Sequence, residues 1–82
     1  MEQITILIVD DHAIVRYGLR TFFETQPDLL VVQEADSGED AVHFATELIP
    51  DIVLIDLVMP GMGGVEAIRQ IKQASPQSQI IA

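Results

Sequence analysis

Cysteine and tryptophan are absent from this sequence, tyrosine occurs once, and only four residues are basic: Arg16, Arg20, Arg69 and Lys72. Without cysteine there is no disulfide framework, no thiolate metal site and no cysteine nucleophile. Thirteen aspartates and glutamates face those four basic side chains, for a formal net charge of −9. Nucleic-acid affinity rests mainly on lysine and arginine neutralising phosphates. This chain repels DNA and RNA, and cations or basic partner surfaces suit it better. No apolar run approaches the roughly 18 residues of a membrane span. The N-terminus also lacks the basic flank of a signal peptide. The expected setting is cytoplasmic, with no membrane contact.

What is there is a core-rich chain of 82 residues, 49% hydrophobic, with a mean hydropathy of +0.34. Ile4-Thr5-Ile6-Leu7-Ile8-Val9 is a β-branched apolar run, suited to a strand buried on both faces of a parallel sheet. Val15, Leu19, Phe22 and Phe23 then recur at the spacing of an amphipathic helix. Leu30-Val31-Val32 opens a second strand, weakened by Gln33, Glu34 and Asp36. Ser37-Gly38 signals a turn, and a helix to Ile49 carries Ala41, Ala45 and Leu48 on one side until Pro50 bars its continuation.

Ile52-Val53-Leu54-Ile55 is a third strand that ends at Asp56. Met59-Pro60-Gly61 has proline and glycine where a type II turn prefers them. A helix bearing Val65, Ile68 and Ile71 follows, and Gln79-Ile80-Ile81-Ala82 reads as a fourth strand. The alternation β-α-β-α-β-α-β predicts an α/β fold with right-handed crossovers and a parallel sheet. Because the chain stops at an apolar strand, it reads as part of a larger domain.

Asp10 and Asp11 follow the first strand and Asp56 closes the third. In a doubly wound sheet, ligands bind beyond the carboxyl ends of the strands where strand order reverses. With the order 2-1-3-4, all three carboxylates converge there. Like charges held close raise one another's pKa unless a cation lies between them, and Mg²⁺, with its preference for oxygen ligands and retained water, suits the arrangement. Each half of the pattern also has a plainer reading. One aspartate of the pair can serve as an N-cap, and Asp56 alone can be a solvated turn residue. The two together on one sheet edge favour a site.

"ILIVDDH" followed by "DIVLIDLVMPGMGGVEAIRQI" resembles the receiver domain of two-component response regulators. "DDHAIVRYGL" further resembles the NarL/LuxR-type branch, whose members append a helix-turn-helix DNA-binding domain. The resemblance implies a flavodoxin-like doubly wound parallel sheet, truncated before its fifth strand. It implies that Asp56 is the phosphoacceptor, taking a phosphoryl group from the phosphohistidine of a sensor histidine kinase. It also implies that Asp11 is the direct Mg²⁺ ligand, that Asp10 holds metal-bound water, and that Val58 lends its backbone carbonyl to the metal. A module of this kind carries self-catalysed phosphotransfer and dephosphorylation and is not an enzyme acting on a separate substrate. DNA contact belongs to the missing C-terminal domain.

The departures are instructive. Receivers normally place a Ser or Thr after the fourth strand and a Lys after the fifth, and neither position occurs in this sequence. With strand starts about 25 residues apart, a five-unit domain needs roughly 120 residues, so residues 1–82 make an incomplete receiver domain. An exposed edge at Ile80-Ile81 then invites self-association by strand addition. The family loop reads Met-Asp-Gly where this one has Met62-Gly63-Gly64. If Gly63 is the helix N-cap, an aspartate there adds on the order of a few tenths of a kcal/mol.

His12 is set aside as a metal ligand because Mg²⁺ prefers oxygen. His43 is expected at the surface or boundary, and Glu34, Asp36, Glu39 and Asp40 on a solvated acidic face. Two other classes of function compete with the leading one. An aspartyl phosphohydrolase resembling the haloacid dehalogenase group requires Asp-x-Asp after the first strand, and Asp10-Asp11-His12 lacks that spacing. A purely structural interaction module binds no metal, so Mg²⁺ titration separates it.

Overall fold

The computed structural model describes residues 2–82. Strand β1 (Ile4–Val9) leads through helix α1 (Ala13–Glu24) to β2 (Leu29–Ala35), then through α2 (Gly38–Leu48) to β3 (Ile52–Ile55), and through α3 (Gly63–Ala74) to β4 (Gln79–Ile81). All pairings are parallel and the strand order is β2-β1-β3-β4, as the sequence predicts. Right-handed crossovers fix the layers. The step from β1 to β2 runs one way along the sheet, and the later steps run the other. Helix α1 therefore covers one face, and α2 and α3 cover the opposite one.

Central strand β1 is hydrogen-bonded on both edges and covered on both faces, which is why its apolar run is unbroken. Leu7, Ile8 and Val9 are essentially inaccessible, and each such side chain contributes about 1.5–3 kcal/mol on leaving water. Edge strand β2 continues through Gln33 and Glu34, with an irregularity opposite Ile6 and Leu7 that leaves Val32 unpaired. Polar residues are tolerated there because only one edge of the strand is paired.

Four apolar residues expected in the helical stripes are instead exposed. In α1, Val15 is 41% and Phe22 61% exposed, and none of its residues is fully buried. Among the described residues α1 is the only helix on its face, so its wide stripe has β1 and β2 for neighbours and no second helix. Leu48 and Val65 are exposed for a different reason. The buried residues of α2 and α3 are mostly small, Gly38, Ala41 and Ala45 in the one and Gly64, Ala67 and Ile71 in the other, and the two helices approach closely at Gly38. A Cβ on Gly38 would lie 3.1 Å from the Met62 Cβ and 3.3 Å from the Ala67 Cβ. Helices this close leave the larger flanking side chains outside the contact.

Ser37 caps α2, its hydroxyl accepting from the Asp40 N–H at 3.1 Å. Gly61 has φ +76°, as the predicted type II turn requires. Gly63, in contrast, is not the N-cap of α3. That position is Met62, and Gly63 has φ +78°, a left-handed backbone that disfavours a side chain. At the amino end of the sheet, the Thr5 N–H and hydroxyl both donate to Asp51 Oδ2, at 2.8 and 3.0 Å, tying β1 to the start of β3.

Candidate phosphoacceptor and metal site

The carboxyl ends of three strands are locked at one level by two main-chain bonds. Asp10 N–H donates to the Ala35 carbonyl of β2, and Asp56 N–H to the Val9 carbonyl of β1, each at 3.0 Å. Asp10, Asp11 and Asp56 thereby emerge side by side, as the strand order predicts. Carboxylate oxygens from all three, with a ring nitrogen of His12, lie within 4.8 Å of one another. These side chains are partly shielded, at 14%, 27% and 28% exposure for Asp10, Asp11 and Asp56. Three anions in so small a volume repel, and the shielding strengthens that repulsion.

Each carboxylate is held differently. Asp10 Oδ1 accepts the His12 main-chain N–H at 2.8 Å, closing the turn that leads into α1. Helix α1 has His12 as its N-cap residue, so neither aspartate occupies that position. Asp56 Oδ1 accepts the Val58 N–H at 3.0 Å, which ties back the loop after β3 and leaves Oδ2 facing the cluster. Val58 stands two residues beyond Asp56 with its side chain 82% exposed, consistent with a residue whose main chain alone matters to the site. Asp11 Oδ1 is buried and makes no hydrogen bond among the described residues; its charged neighbour is the His12 ring, 3.1 Å away. A buried anionic oxygen without a hydrogen bond is costly. Hard oxygen donors of this kind, gathered with one left unsatisfied, fit a divalent cation.

His12 is the residue that sequence reasoning undervalued. Its Nδ1 lies 2.8 Å from Asp10 Oδ1, 3.1 Å from Asp11 Oδ1 and 3.9 Å from Asp56 Oδ2. The hydrogen bond to Asp10 and the charges of Asp11, Asp10 and Asp56 raise its pKa above the usual histidine value. When protonated, the ring supplies positive charge to an acidic site. Its position directly after two aspartates, at a strand-to-helix turn, was the available signal. Glu34 also departs from expectation. It is half-buried and paired with Arg16 and Arg20 of α1, while Asp36, Glu39 and Asp40 are exposed as expected. His43 is on the surface, in an i,i+4 pair with Glu47.

Strand order 2-1-3-4 with an acidic cluster at the order-reversal edge defines a receiver-type α/β domain. The family model for the response regulator receiver domain matches residues 6–82, and the chain belongs to that family. It is similar to the transcriptional regulatory protein LiaR of Bacillus subtilis (strain 168), at 49% identity over 79 residues, covering 96% of this chain and 37% of LiaR. The response regulator domain of Thermotoga maritima CheB superposes with a TM-score of 0.91 at 37% identity, over 96% of this chain and 58% of that one. A LuxR-family two-component response regulator from Aurantimonas sp. SI85-9A1 gives a TM-score of 0.88 at 43% identity, over 96% and 56%. The chain therefore spans little more than a third of its curated relative's length.

Proposed function

We propose that this chain is the phosphoacceptor module of a two-component signalling system, in which Asp56 takes a phosphoryl group from the phosphohistidine of a sensor histidine kinase. The observation that carries this reading is the convergence of Asp10, Asp11 and Asp56 within 4.8 Å, with Asp11 Oδ1 buried and making no hydrogen bond among the described residues. Asp10, Asp11 and Asp56 would hold Mg²⁺, together with the backbone carbonyl of Val58 that the family pattern assigns to it. When bound, the metal neutralises charge on the transferring phosphoryl oxygens, the main catalytic requirement of such transfers.

Asp56 performs the chemistry. Val58 occupies Oδ1, so Oδ2 is the oxygen free to attack. It forms the new O–P bond as the P–N bond to the donor imidazole breaks, and the electron pair left on that nitrogen takes up a proton. The product is an acyl phosphate, a mixed anhydride with the lability of a temporary signal. No separate substrate is turned over, so the module is a phosphoacceptor and not an enzyme in the ordinary sense. The names of its relatives, a transcriptional regulatory protein and a LuxR-family regulator, support a parent that acts on DNA. With a net charge of −9, these 82 residues are unsuited to that contact, which falls to another domain of the parent.

Incubation with acetyl phosphate and Mg²⁺ tests the proposal. Weak labelling by a hydroxylamine-labile phosphoryl group is expected on the wild type, since the Ser/Thr and Lys positions of the family do not occur in these 82 residues, and none on Asp56→Asn. Absence of label from the wild type, or label persisting in the variant, overturns the reading.

A further inference from the structure

Asp11 has the most demanding position in the site, yet its buried Oδ1 makes no hydrogen bond among the described residues, and its charged neighbour is the exposed His12 ring, 3.1 Å away. The main chain, through the Asp10–Asp11 peptide plane, therefore has a large part in setting its direction. That plane is held from outside. The Asp10 carbonyl accepts a hydrogen bond from Arg16 Nη1 at 2.7 Å, across one turn of α1. The Nε of the same guanidinium lies 3.3 Å from Glu34 Oε1 on β2, and Glu34 is also paired with Arg20. Glu34 stands opposite Ile8 in the β1–β2 register, two residues before Asp10.

We infer that Arg16 is the positioning residue of the acidic site: its guanidinium clamps the Asp10 carbonyl to Glu34 and so sets the peptide plane from which Asp11 projects. This inference rests on the reading of Asp11 as a metal-facing carboxylate. Only a planar fork spans the two acceptors at once. A guanidinium presents several donors in fixed directions, whereas an ammonium is a single point of charge. Two of the chain's four basic residues, Arg16 and Arg20, converge on this one glutamate. Glu34 thus holds the fork in orientation and keeps the guanidinium off the site's own carboxylates. Outer residues that orient metal ligands are worth about 10–100-fold in metal affinity.

The test uses the whole chain with Mg²⁺ as the probe, followed by amide chemical shifts. Arg16→Met should weaken Mg²⁺ binding about tenfold, and Arg16→Lys should restore only part of it. Glu34→Gln, which removes the ion pair but not the carbonyl contact, should fall between wild type and Arg16→Met. In the absence of metal, the Asp11 and His12 amide resonances should already be displaced in both arginine variants. A merely structural Arg16 would lower the melting temperature yet leave the Mg²⁺ affinity of the folded protein unchanged, and that result overturns the inference. Full restoration by lysine overturns the clamp in favour of simple charge. If Arg16→Met does not fold, Arg16→Lys carries the same comparison. Wild type that ignores Mg²⁺ sinks the functional reading instead, while unmoved Asp11 amides in the metal-free variants sink the positioning role independently.

Discussion

Replacing Gly64 with alanine puts one methyl group where α3 meets the loop that follows Asp56. Its Cβ would lie 2.5 Å from the Asp56 carbonyl oxygen and 2.5 Å from the Leu57 Cα, with the Leu57 carbonyl carbon at 3.0 Å. All three obstacles are main chain, so no side-chain rotation relieves them. Inserting a group into a packed site costs about 1–3 kcal/mol, and rigid obstacles place this case near the upper end. Alanine recovers about 1 kcal/mol of helix preference over glycine. The expected net loss is about 2 kcal/mol, or roughly 8–16 °C in melting temperature for a domain of this size.

Gly18 provides the internal control. It lies within α1 with nothing within 4 Å of the added Cβ, so Gly18→Ala should stabilise by about 0.5–1 kcal/mol. Circular dichroism melts of both variants make the comparison, since the chain has no tryptophan and one tyrosine. A Gly64→Ala protein as stable as the wild type would refute the close approach of α3 to the Asp56 loop.

Gly63→Asp is expected to destabilise by about 1 kcal/mol, since φ +78° penalises any side chain; a gain in melting temperature would restore Gly63 to an ordinary N-cap. Mg²⁺ at ten times its dissociation constant should stabilise the chain by about 1.4 kcal/mol, and Asp11→Asn should remove most of that gain while raising metal-free stability; melts with and without the ion decide it. In the metal-free protein, the His12 contribution to stability should be fully present below pH 6.5 and lost as pH rises through its elevated folded pKa. An NMR titration giving His12 an ordinary value would contradict that. Finally, among the described residues β4 pairs only with β3, and Ile81 is 51% exposed. Light scattering of the 82-residue chain should show concentration-dependent association, and a monomer at every concentration would count against it.

Much of the fold was legible because the sequence carries two strong periodicities. The continuous apolar runs of β1 and β3 and the alternation of strands with helices dictate a parallel sheet, and the ends of those runs locate Asp10, Asp11 and Asp56. Pro60-Gly61 likewise determined its own turn, since proline restricts φ and glycine permits the left-handed value that follows.

Tertiary structure alone decided the rest. Whether Val15, Leu48 or Val65 is buried depends on which helix faces it; Ala41 and Ala45 were legible as an apolar side, but the close approach at Gly38 that leaves Leu48 outside was not. Gly63 reads as a cap in one dimension but takes a positive φ, and Gly64 after it meets the Asp56 loop. Glu34 reads as surface charge until β2 lies beside α1 and two arginines reach it. His12 and Arg16 acquire their roles from the same cause. Electrostatic partners are chosen by distance through space, and a chain written in order of bonds does not record that distance.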